Sequence, residues 1–153
     1  MALRIRIEGD PVLRRVARPV RRITPAIGRL SQDMLKTMYK AEGVGLAAPQ
    51  VGQSIRLIVV DIGEGPLVLV NPDIRSTEGK ALGSEGCLSV PGATGRVQRD
   101  RLINVEAQDL RGDTLFMTAE DLLARVIQHE MDHLNGVLFV DRAEEIVRAP
   151  AGR

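Results

Sequence analysis

Apolar residues recur along this chain in two patterns, one helical and one extended. Ile27, Leu30, Met34 and Met38 are spaced for one buried helical stripe, and Thr24-Pro25 before them is typical of a helix start. From residue 55 to residue 109 the pattern changes to short runs rich in β-branched residues, which is typical of strands. A helix followed by a β-rich region is therefore predicted.

Turn residues divide the β-rich region into short predicted elements. The predicted strands are Ile55–Ile62, Leu67–Asn71, Ile74–Gly79 and Glu85–Val90, and a hairpin joins Leu102–Asp109 to Thr114–Met117. Nearer the N-terminus, residues 4–7 alternate weakly and predict a short edge strand. Asp10-Pro11 predicts a further helix start.

The last predicted element is a helix that is apolar on nearly every side. Thr118 is its expected N-cap, because Thr118–Asp121 matches a capping box, and Asn135-Gly136 is expected to end it. A helix of this kind belongs in the middle of a fold. The predicted fold class is α+β, in which antiparallel β-sheets pack around this central buried helix.

This helix carries the only two histidines of the chain. His129 and His133 are four residues apart, so both imidazoles lie on one helix face and can reach one metal ion. Glu130 follows His129 directly, close enough to act on a water held by that metal. The central helix is therefore predicted to bind a metal. Two histidines that merely share a helix are the disfavoured alternative.

A catalytic metal usually has three protein ligands and one water. The peptidase pattern with a third histidine six residues after His133 is excluded, because Phe139 occupies that position. Glu144 and Glu145 are weak candidates, since they follow His133 closely. The remaining soft ligand is Cys87, the only cysteine of the chain, for which a buried structural role is the alternative.

Composition excludes several classes of function. The 153 residues fit one domain, so residues 1–153 are predicted to form a single catalytic domain. A net charge of +1 gives no electrostatic reason to expect direct nucleic-acid binding or an anionic membrane partner. No apolar run is long enough to span a membrane, and no secretion signal is apparent. One cysteine permits no internal disulfide, which suits a cytoplasmic location.

Three separated motifs together resemble the peptide deformylases. They are Gly43–Gln50, Glu85–Ser89 and Gln128–His133, and the resemblance extends from about Pro11 to Arg142. It implies a metal-dependent hydrolase that removes the formyl group from the N-terminal formyl-methionine of newly made polypeptides and releases formate. The alternatives are an HExxH-type metallopeptidase that cleaves internal peptide bonds and a catalytically silent metal- or peptide-binding protein.

The resemblance also implies one divalent metal ion, held by Cys87, His129 and His133. The native metal in this family is Fe²⁺, and Zn²⁺, Ni²⁺ or Co²⁺ can replace it. The implied partners are N-formyl-methionyl peptides and, transiently, the ribosome. Some relatives dock there through a longer C-terminal helix, and docking by that route is not expected here, since the sequence ends at Arg153.

Roles for further residues follow from the same resemblance. Glu130 is expected to take a proton from water and pass it to the leaving amine, while the Gln50 side chain and the Leu88 backbone N–H stabilise the oxyanion. The residues expected to contact the substrate are Val44, Gly45, Gly86, Arg99, Leu122 and Val126.

Overall fold

A computed structural model describes residues 2–149 and contains two α-helices and six strands. In chain order these are α1 (Pro25–Lys40), β1 (Gly45–Ala47), β2 (Leu57–Val60), β3 (Leu67–Cys87), β4 (Val90–Gln108), β5 (Thr114–Glu120), α2 (Asp121–Leu134) and β6 (Glu144–Arg148). All strand pairs are antiparallel. The first five strands lie side by side in sequence order, and β6 pairs with β4 away from that path. The strands thus form one continuous sheet.

The two helices pack on opposite faces of β2. Leu57 and Val59 contact the apolar stripe of α1, while Ile58 and Val60 lie in the cluster beneath α2. Successive side chains of a strand point to opposite faces, so an unbroken apolar run is what a strand between two helices requires. The predicted α1 stripe is confirmed, with Met34 fully buried.

The three short strands predicted between Leu67 and Val90 are wrong as separate elements. Most of that segment is the single strand β3, which pairs with β4 along nearly its whole length. Its register shifts at three places, one of them between Val70 and Asp73. A β-bulge adds a residue without ending the strand, so these irregularities resemble turns in the sequence.

Two predictions near the N-terminus also change. Residues 4–7 form no strand, although the N–H of Arg6 donates to the Gln50 carbonyl at 2.7 Å. The predicted helix at Asp10-Pro11 is one 3₁₀ turn, Pro11–Arg14, in which the Asp10 carboxylate accepts from the N–H of Val12.

Helix α2 is buried at the centre of the fold, but it begins later than predicted. Thr118 is not its N-cap, because β5 continues to Glu120 in register with β4, and the Thr118 hydroxyl donates to Asn104. The predicted end is confirmed, since α2 stops at Leu134. No helix within residues 2–149 is long and apolar enough to cross a membrane.

A polar side chain fixes the position of α2 against β4. The Gln128 amide accepts from the N–H of Asp100 at 2.9 Å and donates to the carbonyl of the same residue at 2.8 Å. These two hydrogen bonds fix the position of α2 along its own axis and its rotation about that axis. The face that carries His129 and His133 is thereby directed toward the end of β3.

Candidate metal centre and substrate cavity

The structure brings together the three residues predicted to bind a metal. Cys87 is the last residue of β3, and His129 and His133 lie one turn apart on α2. Each offers a donor atom, and these atoms all lie within 4.8 Å of one another. The Cys87 Sγ is 3.3 Å from Nε2 of His133. One thiol and two imidazoles are a donor set suited to a divalent transition metal.

The ring of His129 is fixed by its surroundings. The Nδ1 of His129 lies 2.9 Å from Oε1 of Glu85, so its Nε2 is the nitrogen left for a metal. Phe139 stacks on the His129 ring, with centroids 6.1 Å apart. Phe139, which occupies the position where the peptidase pattern has a third histidine, therefore packs against His129.

The Glu85 carboxylate accepts hydrogen bonds from two arginine side chains. Arg99 donates to both of its carboxylate oxygens, at 2.8 and 2.9 Å, and Arg125 donates to Oε2 at 2.7 Å. Burial by itself favours the neutral carboxyl, but the hydrogen bonds from Arg99 and His129 outweigh it and lower the pKa of Glu85 to about 2. The carboxylate that orients His129 is therefore ionised.

The charges around the two histidines favour a cation at this point. Burial lowers the pKa of an imidazole, but interactions with Glu130, Cys87 and Glu85 outweigh it and raise the pKa of His129 to about 10. Burial and the neighbouring positive charge of His129 lower the pKa of His133 to about 3. A bound metal would supply positive charge where this cluster attracts a proton, so the residues fit a metal ion.

Glu130 lies at the wall of the site with an unsatisfied carboxylate oxygen. Its side chain is buried, and Oε1 has no hydrogen-bond partner among the described residues. Burial raises the pKa of Glu130 to about 7, and the negative charge of Glu85 acts in the same direction. A carboxylate with a pKa near neutrality can both take up and release a proton.

Gln50 is held on the opposite side of the site by a 3₁₀ turn, Ala48–Val51. Its Oε1 accepts from the N–H of Ala47 at 2.9 Å, which fixes the orientation of the amide. Its Nε2 donates to the Ser89 hydroxyl at 3.1 Å and lies 3.6 Å from the Cys87 Sγ. The amide N–H groups of Gln50 therefore point toward the metal centre.

A cavity of about 530 Å³ opens beside these residues. Of the residues expected to contact the substrate, those that line it are Val44, Gly45, Gly86, Leu122 and Val126. Of those expected to bind the metal or act in catalysis, the lining residues are Gln50, Cys87, Leu88, His129 and Glu130.

Arg99 is the exception among the expected substrate contacts. It does not line this cavity and is buried beneath it. Its guanidinium bridges Glu85 and Asp132, with 2.6 Å from Nη1 to Oδ2 of Asp132. The Arg99 guanidinium therefore donates to internal carboxylates.

The sequence prediction assigns no role to Glu85. Glu85 precedes Cys87 by two residues on β3, and alternate residues of a strand share a face, so this spacing was a usable signal. Arg125 also lines the cavity, and its contacts with β3 and β4 depend on a strand register that the sequence does not display.

An α+β fold with a Cys-His-His donor set, and a buried glutamate that lines the same open cavity, defines the class of single-metal hydrolases. The sequence pattern of one family, Polypeptide deformylase, matches residues 2–149. The chain belongs to the polypeptide deformylase family.

Individual relatives are similar over nearly the whole chain. The peptide deformylase of Desulfitobacterium hafniense is 54% identical over 140 residues, which are 92% of this chain and 93% of that protein. The crystal structure of peptide deformylase from Thermotoga maritima superposes with a TM-score of 0.93 at 44% identity, covering 95% of this chain and 99% of that one. The peptide deformylase from Synechococcus elongatus, solved in complex with actinonin, gives 0.91 at 50% identity, covering 94% and 79%.

Proposed function

We propose that this protein removes the formyl group from the N-terminal formyl-methionine of newly made polypeptides and releases formate. The observation that carries the proposal is that Glu130, a buried carboxylate with an oxygen that has no hydrogen-bond partner among the described residues, lines the same cavity as Cys87 and His129 of the Cys-His-His cluster. In a chain of the polypeptide deformylase family, this arrangement supplies a proton carrier at the site of hydrolysis.

The cofactor is inferred to be one divalent metal ion on Cys87, His129 and His133. We infer Fe²⁺ as the native ion, with Zn²⁺, Ni²⁺ and Co²⁺ as substitutes, because a thiolate and imidazoles accept all of these metals. When bound, the ion supplies Lewis-acid chemistry, which lowers the pKa of water and polarises a carbonyl group.

Glu130 is inferred to move the proton of the reaction. Its carboxylate takes a proton from the attacking water, whose oxygen forms a bond to the formyl carbon. When the carbon–nitrogen bond breaks, the electron pair stays on the nitrogen, and Glu130 delivers the proton there. The products are formate and a free amino terminus. A pKa near 7 suits both halves of this transfer.

Gln50 and Leu88 are inferred to stabilise the negative oxygen that develops during attack. The N–H contact of Gln50 with Cys87 is long, at 3.6 Å, so it is the weaker of the two amide contacts and the one that can turn to substrate. Leu88 lies in the two-residue turn between β3 and β4, where its backbone N–H is the second proposed donor.

The peptide is inferred to bind as an added strand. β1 is an edge strand of the sheet, and its first residue, Gly45, lines the cavity. Val44 and Gly86 are the proposed backbone contacts, and Leu122 and Val126 the proposed apolar wall for the methionine side chain. We propose a supporting role for Arg99 in place of a peptide contact, because it bridges two buried carboxylates.

The domain organisation, cellular location and partners of the protein are also proposals. We infer that residues 1–153 act as one catalytic domain, because Gln50, Cys87 and His129 come from three distant segments and share one site. A substrate made by the ribosome implies a cytoplasmic location and transient ribosome contact. Nothing in the near-neutral charge suggests direct binding of nucleic acid or membrane.

The test is a formate-release assay on formyl-Met-Ala-Ser, with protein purified without oxygen and its metal content measured. Formate should appear in equal amount to free Met-Ala-Ser. Cleavage of the internal bonds of this peptide without formate would refute the proposal and favour a metallopeptidase. The absence of both products from protein with full metal content would favour a silent binding protein.

A further inference from the structure

Within residues 2–149, Arg125 is the only arginine or lysine that lines the cavity. It lies on α2 between Leu122 and Val126 in the sequence, one turn before His129, and it lines the same cavity as these three residues. The side chain is only 13% exposed. A long cation buried at an apolar pocket needs a structural explanation, because burial of an unpaired charge is costly.

The hydrogen bonds of Arg125 lead away from α2 to the two long strands. Nη1 donates to Oε2 of Glu85 at 2.7 Å and to the Val97 carbonyl at 2.9 Å, and Nη2 donates to the Ala81 carbonyl at 2.9 Å. The guanidinium is therefore fixed between α2 and the β3–β4 hairpin, and the aliphatic part of the side chain is left to form the cavity wall.

Gly83 provides the space that the guanidinium occupies. A β-carbon at this position would lie 2.9 Å from Nη2 and 3.0 Å from Cζ of Arg125. The group that would have to move is the far end of a flexible side chain, so Gly83→Ala should be absorbed by a shift of Arg125 toward the cavity. Gly83 has an ordinary negative-φ backbone, which alanine can adopt.

We propose that Arg125 is a specificity-determining residue that sets the size of the substrate side-chain pocket, with Gly83 fixing how far it reaches. This inference rests on the proposed deformylation and adds the residue that limits its substrate. Truncation of Arg125 enlarges the pocket, and a methyl group at Gly83 makes it smaller. The two substitutions therefore change the preference between large and small side chains in opposite directions.

The experiment is a competition between formyl-Met-Ala-Ser and formyl-Phe-Ala-Ser in one reaction, which gives the ratio of their kcat/KM values. The ratio does not depend on the fraction of active enzyme, so a general loss of activity or metal does not affect it. Arg125→Ala should shift the ratio toward the phenylalanine substrate by about tenfold, and Gly83→Ala should shift it the other way. Arg125→Met, which keeps an unbranched apolar stem, should stay near the wild-type ratio.

A ratio within twofold of wild type in both Arg125→Ala and Gly83→Ala would overturn the proposal. Should Arg125→Ala fail to fold, Gly83→Ala decides alone, because it retains every charge of the site. Equal shifts in Arg125→Ala and Arg125→Met would also overturn it, since charge and not pocket size would then set the preference. If wild-type protein releases no formate from either substrate, the proposed function itself has failed.

Discussion

A β-carbon on Gly45 would stand 2.6 Å from Oε2 of Glu130. Gly45, the first residue of β1, and Glu130, the proposed proton carrier on α2, can therefore lie this close only because Gly45 has no side chain. The same β-carbon would lie 2.8 Å from Cγ1 of Val126, so a side chain at position 45 would crowd two residues of α2 at once. Glycine is required here for close approach between a strand and a helix.

Gly45→Ala is therefore expected to lower kcat for formate release by about 100-fold, because displacement of a catalytic group by about 1 Å costs that much. Gly28→Ala is the matched control, since its β-carbon would meet nothing within 4 Å. The measurement is steady-state formate release at equal metal content. Equal kcat values for the two variants would show that Glu130 tolerates displacement.

Removal of the proton carrier should separate catalysis from metal binding. Glu130→Gln is expected to keep its metal, because Cys87 and both histidines remain, and to lose about 10²–10⁴-fold in kcat. Metal analysis and formate release on the same sample check both halves. Turnover at the wild-type rate would remove Glu130 from the mechanism.

The fold class could be predicted because the patterns of α1, β2 and α2 are strong and local. The length of β3 could not, since Gly79 has φ of +72° and the bulges near Asp73 interrupt the alternation that marks a strand. Pairing with β4 resumes on the far side of each irregularity, so β3 remains one strand. Pairing between distant segments likewise overrides the capping signal at Thr118.

The three residues of the candidate metal centre could be picked out from the sequence because cysteine and histidine are rare in this chain and have few uses. Glu85 and Arg99 are among many acidic and basic residues, and the only local signal is the position of Glu85 two residues before Cys87. Their pairing is set by the register of β3 with β4 and by the rotation of α2. Because the roles of Glu85 and Arg99 depend on β3, β4 and α2 together, the sequence of any single element does not reveal them.

Cys87→Ala should abolish metal binding while the fold is retained. In the part of the chain that the structure describes, the thiol is one of three donors that lie within 4.8 Å of one another, and two imidazoles alone leave a weak site. Metal content after dialysis against a limited chelator should fall to near zero, with an unchanged circular dichroism spectrum. Full metal content in this variant would refute Cys87 as a ligand and return it to the role of a small packing residue.

Arg99 supports the site through two buried ion pairs, so its removal should affect stability more than a surface arginine does. In Arg99→Met, Glu85 retains its hydrogen bonds with Arg125 and His129. Asp132 retains its hydrogen bond from Arg142 at 2.7 Å, so each carboxylate still has a partner. The expected loss is about 3 kcal/mol in the free energy of unfolding, at the lower end for a broken buried pair. Arg75→Met, at an exposed pair with Asp73, should cost about 0–1 kcal/mol. Urea unfolding at fixed metal concentration compares them, and equal losses would mean that the Arg99 pairs are no stronger than surface ones.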